Sequence, residues 1–145
     1  MKPINDERSF IKFVLLSIVT LGIYEIWYQH HLTKDINELC KEDGKKNEGI
    51  LLYFLLTLVT CGLFPIFWWY KAADRLSRAG VRESVSLDIS GGRVLAVTVL
   101  SYITFGVLFL YTHYMVMSAV NDLATNYNSK HVYAQSVIDG TNETV

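Results

Sequence analysis

Charged residues and cross-linking cysteines are both scarce in this 145-residue sequence. Only 19% of the residues are charged and the formal net charge is −1, so nothing predicts binding to nucleic acid. The two cysteines, Cys40 in a charged stretch and Cys61 in an apolar one, predict no disulfide. The chain has no Walker loop, no Gly-x-Ser-x-Gly and no His-Glu-x-x-His. We therefore predict no catalytic activity, no metal and no cofactor.

Apolar residues, by contrast, are abundant and lie in three long runs. They make up 51% of the chain, and the mean hydropathy is +0.25. The runs cover about residues 10–28, 50–70 and 94–120. A helix needs about 20 apolar residues to cross a bilayer core of about 30 Å. The sequence thus predicts one membrane domain over 1–128 with three spanning helices, followed by a polar, mobile tail over 129–145.

Each run contains a copy of one motif, and the copies stand 40 and 44 residues apart. The motif is Leu, Ser or Thr, any residue, Val or Ile, Thr, any residue, Gly, and then an aliphatic residue. Such a period indicates a repeated structural unit. The shared Thr-x-Gly falls at Thr20 and Gly22, at Thr60 and Gly62, and at Thr104 and Gly106.

The motif allows two topologies. With three crossings, the amino terminus and second loop carry eight Lys and Arg against five on the other side, which predicts that they face the cytoplasm. Successive copies would then point in opposite directions. In the alternative, each segment dips into the membrane and turns back at Thr-x-Gly, with protein or water around its irregular backbone.

Aromatic residues follow each motif glycine by five to eight positions. This spacing places them roughly 8–12 Å beyond the glycine, where Trp and Tyr concentrate at membrane interfaces. The predicted interfacial anchors are Trp27, Tyr28, Trp68, Trp69, Tyr70 and Tyr111.

The Thr-x-Gly motif has two functional interpretations. Small residues let helices approach closely, and Thr hydroxyls bond across helices or to their own carbonyls. Alternatively, a helix broken at the bilayer midplane, with Pro65 after the second glycine, could coordinate a small cation through carbonyls and hydroxyls.

Two ionisable residues within the apolar runs are candidate intramembrane polar sites. Glu25 lies three residues from the end of its run, so it could instead reach the interface. His113 is the only group of the third run that titrates near neutral pH, and a structural role is the simpler interpretation.

The first repeat resembles a known family. Ser17-Ile-Val-Thr-Leu-Gly-Ile-Tyr24, Trp27-Tyr28, Asp35-Ile-Asn37 and the loop Cys40-Lys-Glu-Asp-Gly-Lys45 are similar to the bacterial domain-of-unknown-function family 4234. The resemblance covers about residues 7–128 and is weaker in the third repeat, where Tyr111 replaces Trp. It implies a small multi-pass bacterial membrane protein and supplies no catalytic residues.

These observations predict an all-α integral protein of the bacterial inner membrane. Its three long helices would each combine a Thr-x-Gly break with an amphipathic extension. The function predicted first is a non-catalytic module in the lipid bilayer that associates with itself or with a partner protein. The alternatives are an oligomeric ion or small-solute channel and, last, an intramembrane enzyme.

Overall fold

A computed structural model describes residues 3–104 and 106–135, and its regular elements are all helical. The described residues form the α-helices α1 (Phe10–Val19), α2 (Ile23–Leu39), α3 (Ile50–Val59), α4 (Phe64–Glu83), α5 (Gly91–Ile103) and α6 (Val107–Asn128). A 3₁₀ turn covers Lys41–Asp43, and a π-helical turn over Ser129–Tyr133 extends α6.

The helices pair into three hairpins, because the chain reverses direction at each motif. The ring centroids of Phe13 and Tyr28 lie 4.6 Å apart, although a continuous helix would separate residues 15 positions apart by about 22 Å. Tyr53 and Trp68, at the same spacing, lie 5.6 Å apart. We call α1–α2, α3–α4 and α5–α6 hairpins 1, 2 and 3, and call the three reversals the tips.

The first tip shows why the motif reverses the chain. Leu21 and Gly22 have φ of 51° and 89°, and two consecutive left-handed residues stop a right-handed helix. The Gly22 N–H donates to the Ser17 carbonyl at 2.8 Å. The Thr20 hydroxyl donates to the Leu16 carbonyl at 2.7 Å and accepts the Tyr24 N–H at 2.9 Å. One threonine therefore closes α1 and caps α2.

The other two tips repeat this geometry. In the second tip, Cys61 and Gly62 have φ of 51° and 87°, and the Thr60 hydroxyl bonds Leu56 and Phe64 at the same two distances as in the first tip. Pro65 stands in the first turn of α4, where a missing N–H costs nothing. In the third tip, Gly106 has φ of 85°. Position 105 lies outside the described residues.

The three hairpins contact one another in a cyclic order. The long helices α2, α4 and α6 contact one another at the centre, while α3 packs on α2 and α5 packs on α4. The short helix α1 completes the ring by reaching α6, where Phe10 contacts Tyr114 and Phe13 stacks on His113. Each short helix thus lies between its own long helix and that of another hairpin.

The predicted fold of three long membrane-spanning helices is wrong. Within residues 3–104 and 106–135, no helix is both long enough and apolar enough to cross a membrane. The runs 10–28, 50–70 and 94–120 are each divided at the motif, because the left-handed residues turn the second half back along the first. The turn at Thr-x-Gly was one part of the second topology, and entry of these segments into a membrane stays a prediction.

The predicted multi-pass localisation in the inner membrane is wrong for the same reason. The predicted placement of successive loops on opposite sides of the membrane is therefore wrong too. The division into a domain over 1–128 and a tail over 129–145 stays a prediction. Residues 129–133 continue α6 as a π-helical turn, and residues 136–145 lie outside the described residues.

Candidate functional site

The two ends of the molecule differ sharply in polarity. The three tips lie together at one end, where the Tyr102 hydroxyl donates to the Gly62 carbonyl and joins hairpin 3 to hairpin 2. Exposed large apolar side chains crowd this end and the short helices leading to it. The most exposed are Leu21, Leu51, Leu58, Val19, Ile103, Ile11, Ile23 and Val59, at 70–93% of full exposure. We call this surface the apolar end.

The opposite end, which we call the polar end, is built around a buried arginine. Arg75 is 3% exposed, and its Nε donates to Asp43 at 2.7 Å. Its other nitrogens donate to the side-chain oxygens of Asn37 and Asn47 and to the Lys45 carbonyl at 2.7–2.8 Å. This guanidinium therefore holds the loop before α3 against α2 and α4.

Three asparagine amides join the segments of the polar end. The side-chain amide of each asparagine accepts a hydrogen bond from the backbone N–H of one distant residue and donates a hydrogen bond to the carbonyl of the same residue. A neighbouring β-strand makes the same pair of bonds. The pairs are Asn37 with Asn47, Asn121 with Arg8, and Asn128 with Ile4. Asn37 of α2 binds the segment that precedes hairpin 2, and Asn121 of α6 binds the segment that precedes hairpin 1. These two contacts therefore follow the same cyclic order as the helix packing.

The predicted aromatic anchors separate into two groups. Trp27, Tyr70 and Tyr111 are 40–55% exposed, and for them an interfacial role stays a prediction. The other three, Tyr28, Trp68 and Trp69, are at most 5% exposed and belong to the core between the hairpins.

The motif threonines make local backbone bonds. The Thr20 and Thr60 hydroxyls each donate to one carbonyl and accept one N–H, and the Thr104 hydroxyl lies 3.3 Å from the Leu100 carbonyl. No group of three or more His, Cys, Asp or Glu that could hold a metal occurs among the described residues. Coordination of a cation by Thr20, Gly22, Thr60, Gly62, Pro65, Thr104 and Gly106 stays a prediction.

Glu25 and His113, which the sequence presents separately, meet in the structure. His113 Nε2 lies 3.7 Å from Glu25 Oε1, and the histidine side chain is 3% exposed. Its Nδ1 bonds the Phe109 carbonyl at 3.0 Å. Burial lowers the pKa of His113 to about 4 and raises the pKa of Glu25. Near neutral pH the imidazole is therefore uncharged, with Nδ1 donating and Nε2 offering a lone pair.

These two residues line a cleft between hairpins 1 and 2 that opens at the apolar end. Its volume is about 380 Å³, and its apolar walls include Leu21, Ile26 and Phe54. Gln29 Nε2 is buried beside it without a hydrogen-bond partner among residues 3–104 and 106–135, while the Trp69 side chain has Tyr53 as its hydrogen-bonding neighbour. Buried polar groups are normally paired, so the unpaired Gln29 amide is an exception in this protein.

Sequence reasoning missed Gln29 as a member of this site, although a signal was present. Gln29, Trp69 and His113 each stand seven residues after a motif glycine. They occupy equivalent positions in the three repeats, and all three line the cleft. Aligning the three repeats by their glycines would have grouped these residues.

The burial of His113 predicts that the protein loses stability in mild acid. The pKa of about 4 in the folded state lies below the ordinary value of 6.5, so the unfolded state binds more protons between these values and stability falls as the pH falls through this window. A shift of this size corresponds to roughly 3 kcal/mol. Urea unfolding of the solubilised protein from pH 7 to pH 4 measures the decline.

His113→Gln should remove most of this decline, whereas the same change at the exposed His31 should leave it intact. A decline of equal steepness in the His113→Gln variant would contradict the assignment to His113.

One comparison with known proteins identifies the chain's relatives. The family described as Domain of unknown function (DUF4234) matches residues 8–78 and again residues 48–122. The first match falls on hairpins 1 and 2 and the second on hairpins 2 and 3, so each match spans a pair of adjacent hairpins. No protein of curated function and no solved structure matches the chain. The chain belongs to the DUF4234 family.

Proposed function

We propose that the protein is a non-catalytic membrane module whose apolar end enters one leaflet of a bilayer without crossing it. The observation that carries this proposal is the exposure of large apolar side chains on the three tips and on the helices leading to them. Removing apolar surface from water provides about 25 cal/mol per Å². Contiguous exposed apolar patches of this kind mark contact with a membrane or with another protein.

The dimensions of the hairpins favour lipid as the contact. Helices α1 and α3 each contain 10 residues, which corresponds to about 15 Å at a rise of 1.5 Å per residue. This length is half of a hydrocarbon core of about 30 Å. Each hairpin can therefore reach the middle of the bilayer and return, with its backbone hydrogen bonds satisfied inside its helices.

The side chains at the base of the hairpins also suit an interface. Lys12 and Arg93 stand in the first turns of α1 and α5, from which long cationic side chains extend toward headgroups. The exposed aromatic residues Trp27, Tyr70 and Tyr111 follow the tips by five to eight positions, so they suit an amphipathic boundary. The polar end then remains in water.

The native cysteines provide a direct test. Cys61 is exposed at the second tip, while Cys40 is buried and burial raises its pKa to about 11, so a thiol-reactive spin label should modify Cys61 selectively. In phosphatidylcholine vesicles we expect this label to be accessible to oxygen and shielded from water-soluble nickel chelates. The control is a label at Val81→Cys in a Cys61→Ser background, which should show the opposite accessibility.

Sidedness separates leaflet insertion from crossing. Cysteines placed at Lys41 and at Val81, both exposed at the polar end, should react completely with a membrane-impermeant reagent added outside the vesicles. A Cys61 label open to the nickel chelate would overturn the proposal. The label could instead be shielded from the nickel chelate in protein that is free of vesicles and has twice the mass of one chain. In that case a second copy would cover the apolar end.

A further inference from the structure

We infer that Glu25 and His113 form a proton-binding site, and that entry of the apolar end into a leaflet is coupled to the uptake of one proton there. The inference rests on the proposed function and deepens it by making membrane entry depend on pH. Its basis is the way in which the two side chains face each other in the cleft between hairpins 1 and 2.

Without an added proton, the two side chains present an acceptor to an acceptor. A carbonyl oxygen can only accept, so His113 Nδ1, which lies 3.0 Å from the Phe109 carbonyl, bears the proton of the neutral ring. The lone pair of Nε2 then lies 3.7 Å from Glu25 Oε1, and an ionised carboxylate offers only lone pairs as well. This separation exceeds the length of a hydrogen bond. One proton added to either residue turns the contact into a donor and an acceptor.

No other charge in the cleft balances an ionised Glu25. The residues that line the cleft, within the ranges 3–104 and 106–135, include no Lys, Arg or Asp. The groups that face Glu25 from the other helices are Tyr53 of α3, Trp69 of α4 and His113 of α6. Burial raises the pKa of Tyr53 to about 12, so its hydroxyl is uncharged. The pair therefore carries the full carboxylate charge without the proton and is neutral with it.

Glu25 stands where membrane entry would remove it from water. It follows Gly22 of the first tip by three residues, which is about 4.5 Å along α2. In solution its side chain is 46% exposed, so water hydrates the carboxylate. A charged side chain in the hydrocarbon region weakens partitioning about a hundredfold, and the neutral pair avoids this loss. Entry and protonation therefore favour each other.

The repeats limit the site to one per chain. The positions equivalent to Glu25, three residues after a motif glycine, hold Pro65 and Phe109 in the other two hairpins. The positions equivalent to His113 hold Gln29 and Trp69. None of these four side chains titrates, so the coupling predicts the uptake of one proton for each chain that enters.

The test is the pH dependence of partitioning into phosphatidylcholine vesicles, measured by flotation between pH 8 and pH 5.5. We expect the partition coefficient to rise by up to about tenfold for each unit by which the pH falls, because one proton is bound on entry. Near-UV circular dichroism at each pH shows that the fold is retained.

Glu25→Gln should remove this dependence. Its amide group donates to His113 Nε2 without a proton from solvent. The variant should therefore bind at pH 8 at least as tightly as the wild-type protein binds at pH 5.5. The matched control is Glu7→Gln, which changes an exposed glutamate in the segment before α1 and should keep the wild-type dependence.

Carbon-13 NMR of the glutamate carboxyl groups in dodecylphosphocholine micelles provides a second measurement. The Glu25 signal is identified by its absence from the spectrum of Glu25→Gln. Burial raises the pKa of Glu25, so this signal should titrate above the ordinary value of 4.5. Titration at or below that value would contradict the proton-binding site.

The flotation results separate this inference from the proposed function. Equally strong flotation at pH 8 and pH 5.5 would overturn the coupling and leave leaflet insertion standing. Failure to float at any pH would overturn leaflet insertion, and the coupling with it. A dependence on pH that persisted undiminished in Glu25→Gln would assign the proton to another group and would overturn the inference as well.

Discussion

Replacing Arg75 with methionine should lower the free energy of unfolding by about 3–5 kcal/mol, since it leaves buried partners without their cation. The guanidinium makes six hydrogen bonds to side chains and carbonyls of α2 and the loop that follows. Asp43, with a side chain 13% exposed, would remain as an unpaired charge. Urea unfolding of the micelle-solubilised protein measures the loss.

Arg78→Met in the same helix is the matched control. The Arg78 side chain is 68% exposed, and within the part of the chain that the structure describes its ion pair is with Asp74, four residues earlier, so its removal should cost under about 1 kcal/mol. Burial alone would raise the pKa of Asp43, but hydrogen bonds from Arg75 and from the Lys45 N–H hold it below its ordinary value. The Arg75→Met variant should therefore also show a raised Asp43 pKa by carbon-13 NMR. Equal stability of the two methionine variants would show that Arg75 does not hold the loop.

Glutamate substitutions at the three tips should abolish binding to vesicles. Val19, Val59 and Ile103 each stand three residues before a motif glycine and are 70–78% exposed, so the changes should not disturb the core. A charged side chain in the hydrocarbon region costs roughly 2.5–3.5 kcal/mol, which corresponds to about a hundredfold weaker binding for each substitution. Flotation with phosphatidylcholine vesicles after detergent removal measures the bound fraction, and the triple variant should remain at the bottom of the gradient.

Val81→Glu provides the comparison for these variants. Val81 is 80% exposed on α4 but lies at the polar end, so a glutamate there should leave flotation unchanged. Phosphatidylcholine carries no net charge, so electrostatic attraction between the protein and the lipid does not contribute to the difference between these variants. If the triple variant floated as well as Val81→Glu, the apolar end would have another occupant.

The sequence revealed the repeat and the position of each break, but not the path of the chain through them. The summed hydropathy of 20 apolar residues is the same whether they form one long helix or two helices of 10 residues that lie side by side. The difference depends on residue 21, a leucine that takes φ of 51° beside Gly22. Nothing in its side chain favours a left-handed backbone, so the reversal was visible only as one of two topologies.

The cleft was harder to predict, because its parts come from all three hairpins. His113 of α6 lies beside Glu25 of α2, which is a contact between the first and third repeats. Burial of Trp69 likewise depends on another hairpin, because its ring contacts Phe109 and His113 of α6. Aromatic residues spaced from a glycine suit either an interface or a core, and the spacing alone could not separate the two.

The hairpins also change what a gain or loss of one repeat would mean. In a protein whose repeats cross a membrane singly, an added copy inverts the orientation of every copy after it, so duplications are tolerated most easily in even numbers. Here each hairpin begins and ends at the polar end, and the loops 40–49 and 84–90 that connect the hairpins lie there too. A chain of this kind can grow from two hairpins to three by a single duplication, and the overlapping family matches over 8–78 and 48–122 are what such growth would leave behind.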